Sequence, residues 1–381
     1  MPETTTALTF ASALSDADDT AAAMDEAIDQ LNRRLAGPVD LAMVFATPHH
    51  AHGMGLVHEL LRTTLAPRIE MGVTCEGVIG VRKEIERKPG LSIVAASLPR
   101  AVIEPFHSGE IDWSAAMDDP ATLRRQLWPH DDAEPKAVLF LADPFSTAML
   151  SVLPAIESAL PDCPIIGGMA SGAQRSGGNR LLYDGQVLTE GAVGAVVGGD
   201  VQIDCTVSQG CRPVGKPYVI TKSQRHIVME LAGRPALRVV QELVESLHDE
   251  DRRLMEDNGL LVGRVINEYK DRFGRGDFLI RSLHGVDQDH AYIAIADPQV
   301  RVGQTIQFHV RDQRTAQEDF ALLLEMQALH GPAAGALLFT CNGRGSRLFN
   351  HPNADANMVA HALGDTPLAG FFAAGEIGPV G

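Results

Sequence analysis

The chain has 381 residues, 45% of them apolar, enough to fill the cores of two ordinary domains. Its 49 acidic side chains against 32 basic ones leave a formal charge of −17 with no Lys/Arg cluster to interrupt it, so nucleic acid and anionic membrane surfaces are excluded as partners by repulsion. No apolar run approaches the ~20 residues of a membrane helix, and the N-terminus has no basic residue before Arg33 and no apolar signal core; five cysteines without a C-x-x-C argue against a disulfide framework or zinc ribbon and fit a cytoplasmic protein.

Residues 1–39 read as an N-terminal helical arm. About a dozen loose residues lead into a helix capped by Ser15 or Asp16, with Met24, Ile28, Leu31 and Leu35 at helical spacing and Gly37-Pro38 as its stop. From Asp40 a β-α-β unit follows: a strand from Leu41 to Ala46, the loop TPHHAHG, a helix to about Leu65, a strand into Gly72-Val73, and, past Pro89-Gly90, the strand LSIVAAS. Residues 99–135 are acidic, punctuated by proline and hold both Trp113 and Trp128; they read as an insertion with helix near 120–127. A second unit runs through AVLFLADP, a helix from Ser146 to Leu160, PIIGGMASGA, a hairpin at Asp184-Gly185 and the strand GAVGAVVGG.

Near Gly210, Pro213, Gly215 and Pro217 the composition changes, which divides the chain into residues 40–213 and 214–381. The second part opens with two short strands in YVITKSQRHIVMELAGRP. A helix follows in PALRVVQELVESLHDEDRRL, with Leu237, Val240, Val244 and Leu247 as its buried stripe. The runs DFLIRSLHG, HAYIAIADP and GQTIQFHVRD are joined by turns too short for crossover helices and must be antiparallel. After a helix from Thr315 to Leu329 the β-α-β sentence returns a third time as GALLFT, CNGRGS, ADANMVAHAL and PLAGFFAAGEIGPVG.

Aligning the closing turns puts Gly72, Gly167 and Gly370 in one column and Gly77, Gly172 and Gly375 in another, with Cys75, Ala170 and Ala373 between them. Glycine recurs where a Cβ would block close approach of a backbone or ligand. The expected fold is therefore α/β, a two-domain, mixed-sheet protein built from repeated βαβ-plus-strand units, the three occupying equivalent places.

GALLFTCNGRGSRLF, PLAGFFAAGEIGPVG and, less sharply, YVITKSQRHIVMELAGRPAL resemble the FIST family, the sensory domain of F-box and intracellular signal transduction proteins. The likeness covers nearly everything from Asp40, with a FIST N-like part at 40–213 and a FIST C-like part at 214–381. It implies a small-ligand sensor for an amino acid or similar metabolite, working with a signalling partner and without a cofactor. Members of the family continue past the GEIGP turn into a final strand, so the third unit reads as lacking its last strand.

Ligands bind beyond the carboxyl ends of parallel strands, where loops face helix N-termini. The loop with the richest chemistry is Cys341, Asn342, Gly343, Arg344 and Gly345: its glycines let backbone wrap a ligand, and Arg344 offers a planar fork for a carboxylate. Gly375 and Glu376 close the same unit, and Glu376 suits an ammonium group. The competing reading makes Arg344 a structural partner of an acid such as Glu376. Glu76 and Gln174, near the matching turns, are weaker candidates. Cys341 beside a cation is also a candidate thiolate, which keeps a Cys-dependent hydrolase as the alternative to a sensor, beside a non-binding scaffold. His49, His50, His52 and His58 resemble metal spacing but lack a companion Cys or carboxylate at a regular interval, so no metal is assigned, and the glycines of GGMASGAQRSGG fit no nucleotide-binding motif.

Overall fold

A computed structural model describes residues 8–270, 272–274 and 276–379. Contacts divide the chain into two compact units, one made of the chain up to Cys205 together with Leu324–Pro379, the other of Thr206–Leu323. Both mix helix and strand, so the fold is α/β with two domains. Among the described residues no helix is long and apolar enough to cross a membrane.

Among the described residues the first unit holds three mixed sheets, one per repeat. In each, the two strands of the β-α-β unit pair in parallel: Leu41–Ala46 with Ile69–Thr74, Pro135–Ala142 with Ile165–Met169, and Ala336–Cys341 with Leu368–Ala373. The first glycine column falls at one register position in all three, opposite Val44, Phe140 and Leu338 respectively. A Cβ built on these glycines would lie 2.3, 1.9 and 1.9 Å from the carbonyl oxygen of the facing residue. No side chain fits there, which is why glycine recurs. One residue further on, Phe45, Leu141 and Phe339 point into a shared apolar centre with Phe371 and the closing-turn residues Cys75, Ala170 and Ala373.

The strand that follows each closing turn does not return to its own sheet. Gly77–Gly80, after the first turn, pairs antiparallel with Leu368–Ala373 of the third repeat. Leu181–Tyr183, after the second, pairs with Ile69–Thr74 of the first. The short strand Glu376–Ile377, after the third, pairs with Ile165–Met169 of the second. The second glycine column follows the same cycle, since a Cβ on Gly77 would meet Phe372, on Gly172 Thr74, and on Gly375 Met169. The three repeats are thus joined head to tail by exchanged strands.

Three expectations need correction, two of them in this unit. Residues 9–15, expected as a loose arm, form the strand Thr9–Ser15, antiparallel to Leu91–Ser97 at the edge of the first sheet; residues 1–7 of that arm lie outside the described residues. The helix then begins at Thr20, and Asp19 rather than Ser15 or Asp16 caps it by accepting from Ala22 N at 3.0 Å. Likewise residues 99–135 are no insertion. Ala101–His107 is the edge strand of the second sheet, antiparallel to Ala192–Gly199, and the helices Trp113–Asp118 and Pro120–Leu127 follow it as Thr20–Asn32 follows Thr9–Ser15. The first two repeats therefore share the order edge strand, helix, strand, helix, strand, with two short helices in the second where the first has one.

In the second unit the strands are all antiparallel. The order runs from Cys211–Gln224 through Thr305–Arg311, Leu261–Val265, Phe278–Asp287 and Tyr292–Ile295 to Ile227–Leu231, which pairs back onto Cys211–Gln224 and closes the ring. The ring closes through its two long strands, Cys211–Gln224 and Phe278–Asp287, each of which pairs with one neighbour along its first half and with another along its second. The single helix expected over 235–254 is two, Ala236–Ser246 and Asp249–Asn258, because Leu247 and His248 take extended conformations. The first carries Leu237, Val240 and Leu243 into the apolar interior.

Candidate functional site

The closing turns of the three repeats are tied directly to one another. Ser171 Oγ accepts from Glu76 N at 2.8 Å and donates to the carbonyl oxygen of Phe372. Gly172 N donates to Thr74 O at 3.3 Å, while Met169 N donates to Gly375 O at 2.8 Å and Ala374 N returns to Met169 O at 3.0 Å. Beside this junction stands the loop that follows Ala336–Cys341. Its backbone folds over through Arg344 N to Cys341 O at 2.8 Å and then makes the helical turn Gly345–Arg347. Gly345 has φ +57°, and a Cβ there would lie 2.8 Å from the Glu86 carboxylate and from the Phe372 ring. That position demands glycine twice over.

Arg344 is buried, and its fork is engaged. Nε donates to Asp355 Oδ2 at 2.8 Å and Nη2 to Oδ1 at 2.7 Å, Thr340 Oγ1 donates to Oδ2 at 3.0 Å, and the guanidinium lies 5.2 Å from the centre of the Phe349 ring. Burial pushes the Arg344 pKa down, but the hydrogen bonds and charge of Asp355 outweigh it and hold the guanidinium more firmly protonated than usual; Glu376 adds a longer-range attraction. Asp355 lies in the first turn of the helix Ala354–Leu363, where a carboxylate also meets the positive end of the helix. The structural acid facing Arg344 is thus Asp355.

The other wall comes from the exchanged hairpin of the first repeat. Glu84 Oε1 accepts from Ala356 N at 2.9 Å at the start of that helix, while Asn353 Oδ1 accepts from Glu84 N at 2.8 Å. Glu86 accepts from Ser346 N at 2.9 Å and from its hydroxyl at 2.8 Å, and Glu76 pairs with Arg347, Nη1 to Oε2 at 3.0 Å. Glu84 is buried, its second oxygen has no partner among the described residues, and burial raises its pKa to about 7.

Of the expected site residues, Cys341, Asn342, Gly343, Arg344 and Gly345 share one loop, and Gly375 and exposed Glu376 belong to the junction beside it. Cys341 Sγ accepts from Gly343 N at 3.4 Å. Gln174 is exposed. The histidines of the first repeat do not converge: His50 is buried against Thr20 Oγ1 at 3.0 Å, His49 meets Thr47 Oγ1 at 3.2 Å, and His58 pairs with Glu70. Residues that the sequence reading missed are Asp355, Arg347, Glu84 and Glu86. An acid in the first turn of the helix after a cationic loop was a signal for Asp355; the glutamates gave none, because their contacts cross from one repeat to another.

Comparison with known proteins divides the chain near Pro235, whereas its contacts group residues 324–379 with the first unit. The FIST N domain family matches residues 40–234 and the FIST C domain family residues 236–379. Uncharacterized protein Rv0628c of Mycobacterium tuberculosis (strain ATCC 25618 / H37Rv) is 37% identical over 371 residues, spanning 96% of this chain and 94% of that protein. Uncharacterized protein Mb0898c of Mycobacterium bovis (strain ATCC BAA-935 / AF2122/97) is 37% identical over 358 residues, 93% of this chain and 90% of its own length. FIST domains are associated with sensory roles in signal transduction. With the two matches together spanning residues 40–379 apart from Pro235, the chain belongs to the FIST family.

Proposed function

We propose that this protein is a cytoplasmic sensor of an amino acid or similar small polar metabolite, bound without chemical turnover where the loop Cys341–Gly345 meets the joined closing turns. The observation that carries this reading is the junction itself, where exposed charges of both signs stand on a hydrogen-bonded frame that couples all three repeats. Arg344 holds the loop in place through Asp355. The ligand's carboxylate meets Arg347, whose side chain is 42% exposed and already pairs with a carboxylate, and its ammonium meets Glu376 or Glu76, with the Asn342 amide beside them. A ligand that rearranges the Arg347–Glu76 pair acts on the exchanged hairpin of one repeat and the loop of another, which gives binding a route to a change of shape and to a signalling partner.

The test is a thermal-shift screen of the full chain against amino acids and small carboxylates, because ligand at 100 times its Kd adds about 2.7 kcal/mol of stability. One amino acid should raise the Tm, and Arg347→Gln and Glu376→Gln should each remove that rise while leaving the ligand-free Tm nearly unchanged, since exposed pairs contribute about 1 kcal/mol or less. A screen without a hit, or a hit that both variants retain, removes this site as the sensing site.

A further inference from the structure

A second cluster of charge lies in the other unit. Arg264, on Leu261–Val265, and Arg281, on Phe278–Asp287, occupy neighbouring strands, with Val262 opposite Arg281 and Arg264 opposite Leu279. The pleat therefore sends both side chains to the face that carries Val262 into the barrel interior. Asp297, 2% exposed, follows the strand Tyr292–Ile295 and reaches the same place. Its Oδ2 accepts from Arg264 Nε at 2.6 Å, and its Oδ1 accepts from Gln299 N at 2.9 Å. Both oxygens of the one carboxylate are thus engaged, and Arg281 makes no ion pair among the described residues. Its Nη1 donates to the carbonyl oxygen of its own neighbour Ile280 at 3.2 Å.

Two guanidiniums against one carboxylate leave an excess positive charge in a half-buried place, within a protein whose net charge is −17. Burial lowers the Arg281 pKa; the pull of Asp297 opposes it, and the weaker repulsion of Arg264 adds to it. A cation kept for structure is normally matched with a carboxylate, because removing one partner of a buried pair is costly. We propose that Arg281, with Arg264 beside it, is a binding site for the carboxylate of a small molecule. The planar fork of Arg281 accepts the two oxygens side by side, Asp297 fixes Arg264 in position, and the bound anion balances the charge. This site belongs to the second unit and does not depend on the reading of the closing-turn junction.

The experiment uses the full chain in thermal-shift and calorimetric titrations with sodium succinate, sodium acetate and inorganic phosphate at constant ionic strength, on the wild type, Arg281→Gln and Glu376→Gln. Saturable binding of succinate or acetate is expected, weakened about tenfold or more by Arg281→Gln and unaffected by Glu376→Gln, with the ligand-free Tm of Arg281→Gln equal to or above that of the wild type. The proposal is overturned by the absence of saturable carboxylate binding, by equal binding in Arg281→Gln, or by a marked fall in the ligand-free Tm of that variant, which would make Arg281 a structural cation. Saturation by phosphate alone overturns the assignment to a carboxylate. Loss of carboxylate binding in Glu376→Gln with retention in Arg281→Gln assigns the effect to the other unit and overturns this site.

Discussion

Arg344 and Glu84 show how a buried charge behaves when it has a partner and when it has half of one. Arg344 is matched by Asp355 in bidentate geometry, with Thr340 satisfying the same carboxylate. Removing one side of such a pair costs about 3–5 kcal/mol, chiefly because the other charge is left stranded. Arg344→Ala should therefore lower the ligand-free Tm sharply, and the double variant Arg344→Ala, Asp355→Ala should lose much less than the sum of the two single losses; additive losses in a double-mutant cycle would contradict the pairing. For this reason Arg344 is a poor probe of ligand contact, and the exposed Arg347 is the better one. Glu84 faces the Ala356 N–H, Asp355 and Glu86, and its folded-state pKa of about 7 stands above the ordinary 4.5. A raised folded pKa gives a contribution that is fully present below pH 4.5 and lost as pH rises through 7, because over that window the unfolded chain releases a proton that the folded one retains. The loss amounts to about 3 kcal/mol at most. Glu84→Gln mimics the protonated form, so it should be more stable than the wild type at pH 8 and equal to it near pH 4.5. Unfolding curves of the two proteins that stay parallel across that range would refute the assignment.

At the level of the element, a glycine column is a statement about backbone distance. Gly370 faces Leu338 across a parallel pair with no room for a Cβ, whereas Gly285 on Phe278–Asp287 has open space around it. Gly370→Ala should cost several kcal/mol by forcing two strands apart, while Gly285→Ala should change stability by about 0.5 kcal/mol or less; comparable denaturation midpoints for the two variants would show that the column has another origin. The same physics explains what could be read in advance. The three parallel pairs announced themselves because each needs a bare backbone at one register position, and the apolar runs around it are fully local signals. The edge strands did not. Thr9–Ser15 alternates small residues, with Ala11, Ala13 and Ser15 buried, and carries little β-branched character. Ala101–His107 contains Pro105, which a strand tolerates at an edge and which reads as a breaker in sequence. The candidate loop was legible from its glycines and arginine, but its walls were not: Glu84 and Glu86 arrive on the exchanged hairpin and Glu76 just before it, more than 250 residues from the contacts they make.

For the whole molecule, strand exchange fixes the order in which folding can be completed. The sheet of the third repeat uses Gly77–Gly80 and Lys83–Glu86 from the first, and the sheet of the second uses Glu376–Ile377 from the end of the chain. The first unit therefore cannot close until Leu324–Pro379 is available, and its pairings span most of the sequence, which makes their formation slow. The second unit is continuous in sequence, has its own apolar interior and closes its own ring of strands. The two units should respond to truncation in opposite ways. A fragment covering residues 206–329 should give a strand-rich circular dichroism spectrum and a cooperative thermal transition. A fragment covering residues 1–205 retains the hairpin Gly77–Glu86 but lacks Leu368–Ala373, the strand against which that hairpin pairs. It leaves apolar residues such as Val78, Ile79 and Ile85 without Phe371 and Phe372, and should be aggregation-prone or unfold without cooperativity. Adding residues 324–381 as a separate peptide should restore a cooperative transition to that fragment, with a midpoint that rises with peptide concentration. A sharp, peptide-independent transition in residues 1–205 alone would show that the exchanged strands are appendages to a core that is complete without them, and the argument that the junction couples the three repeats would fall with it.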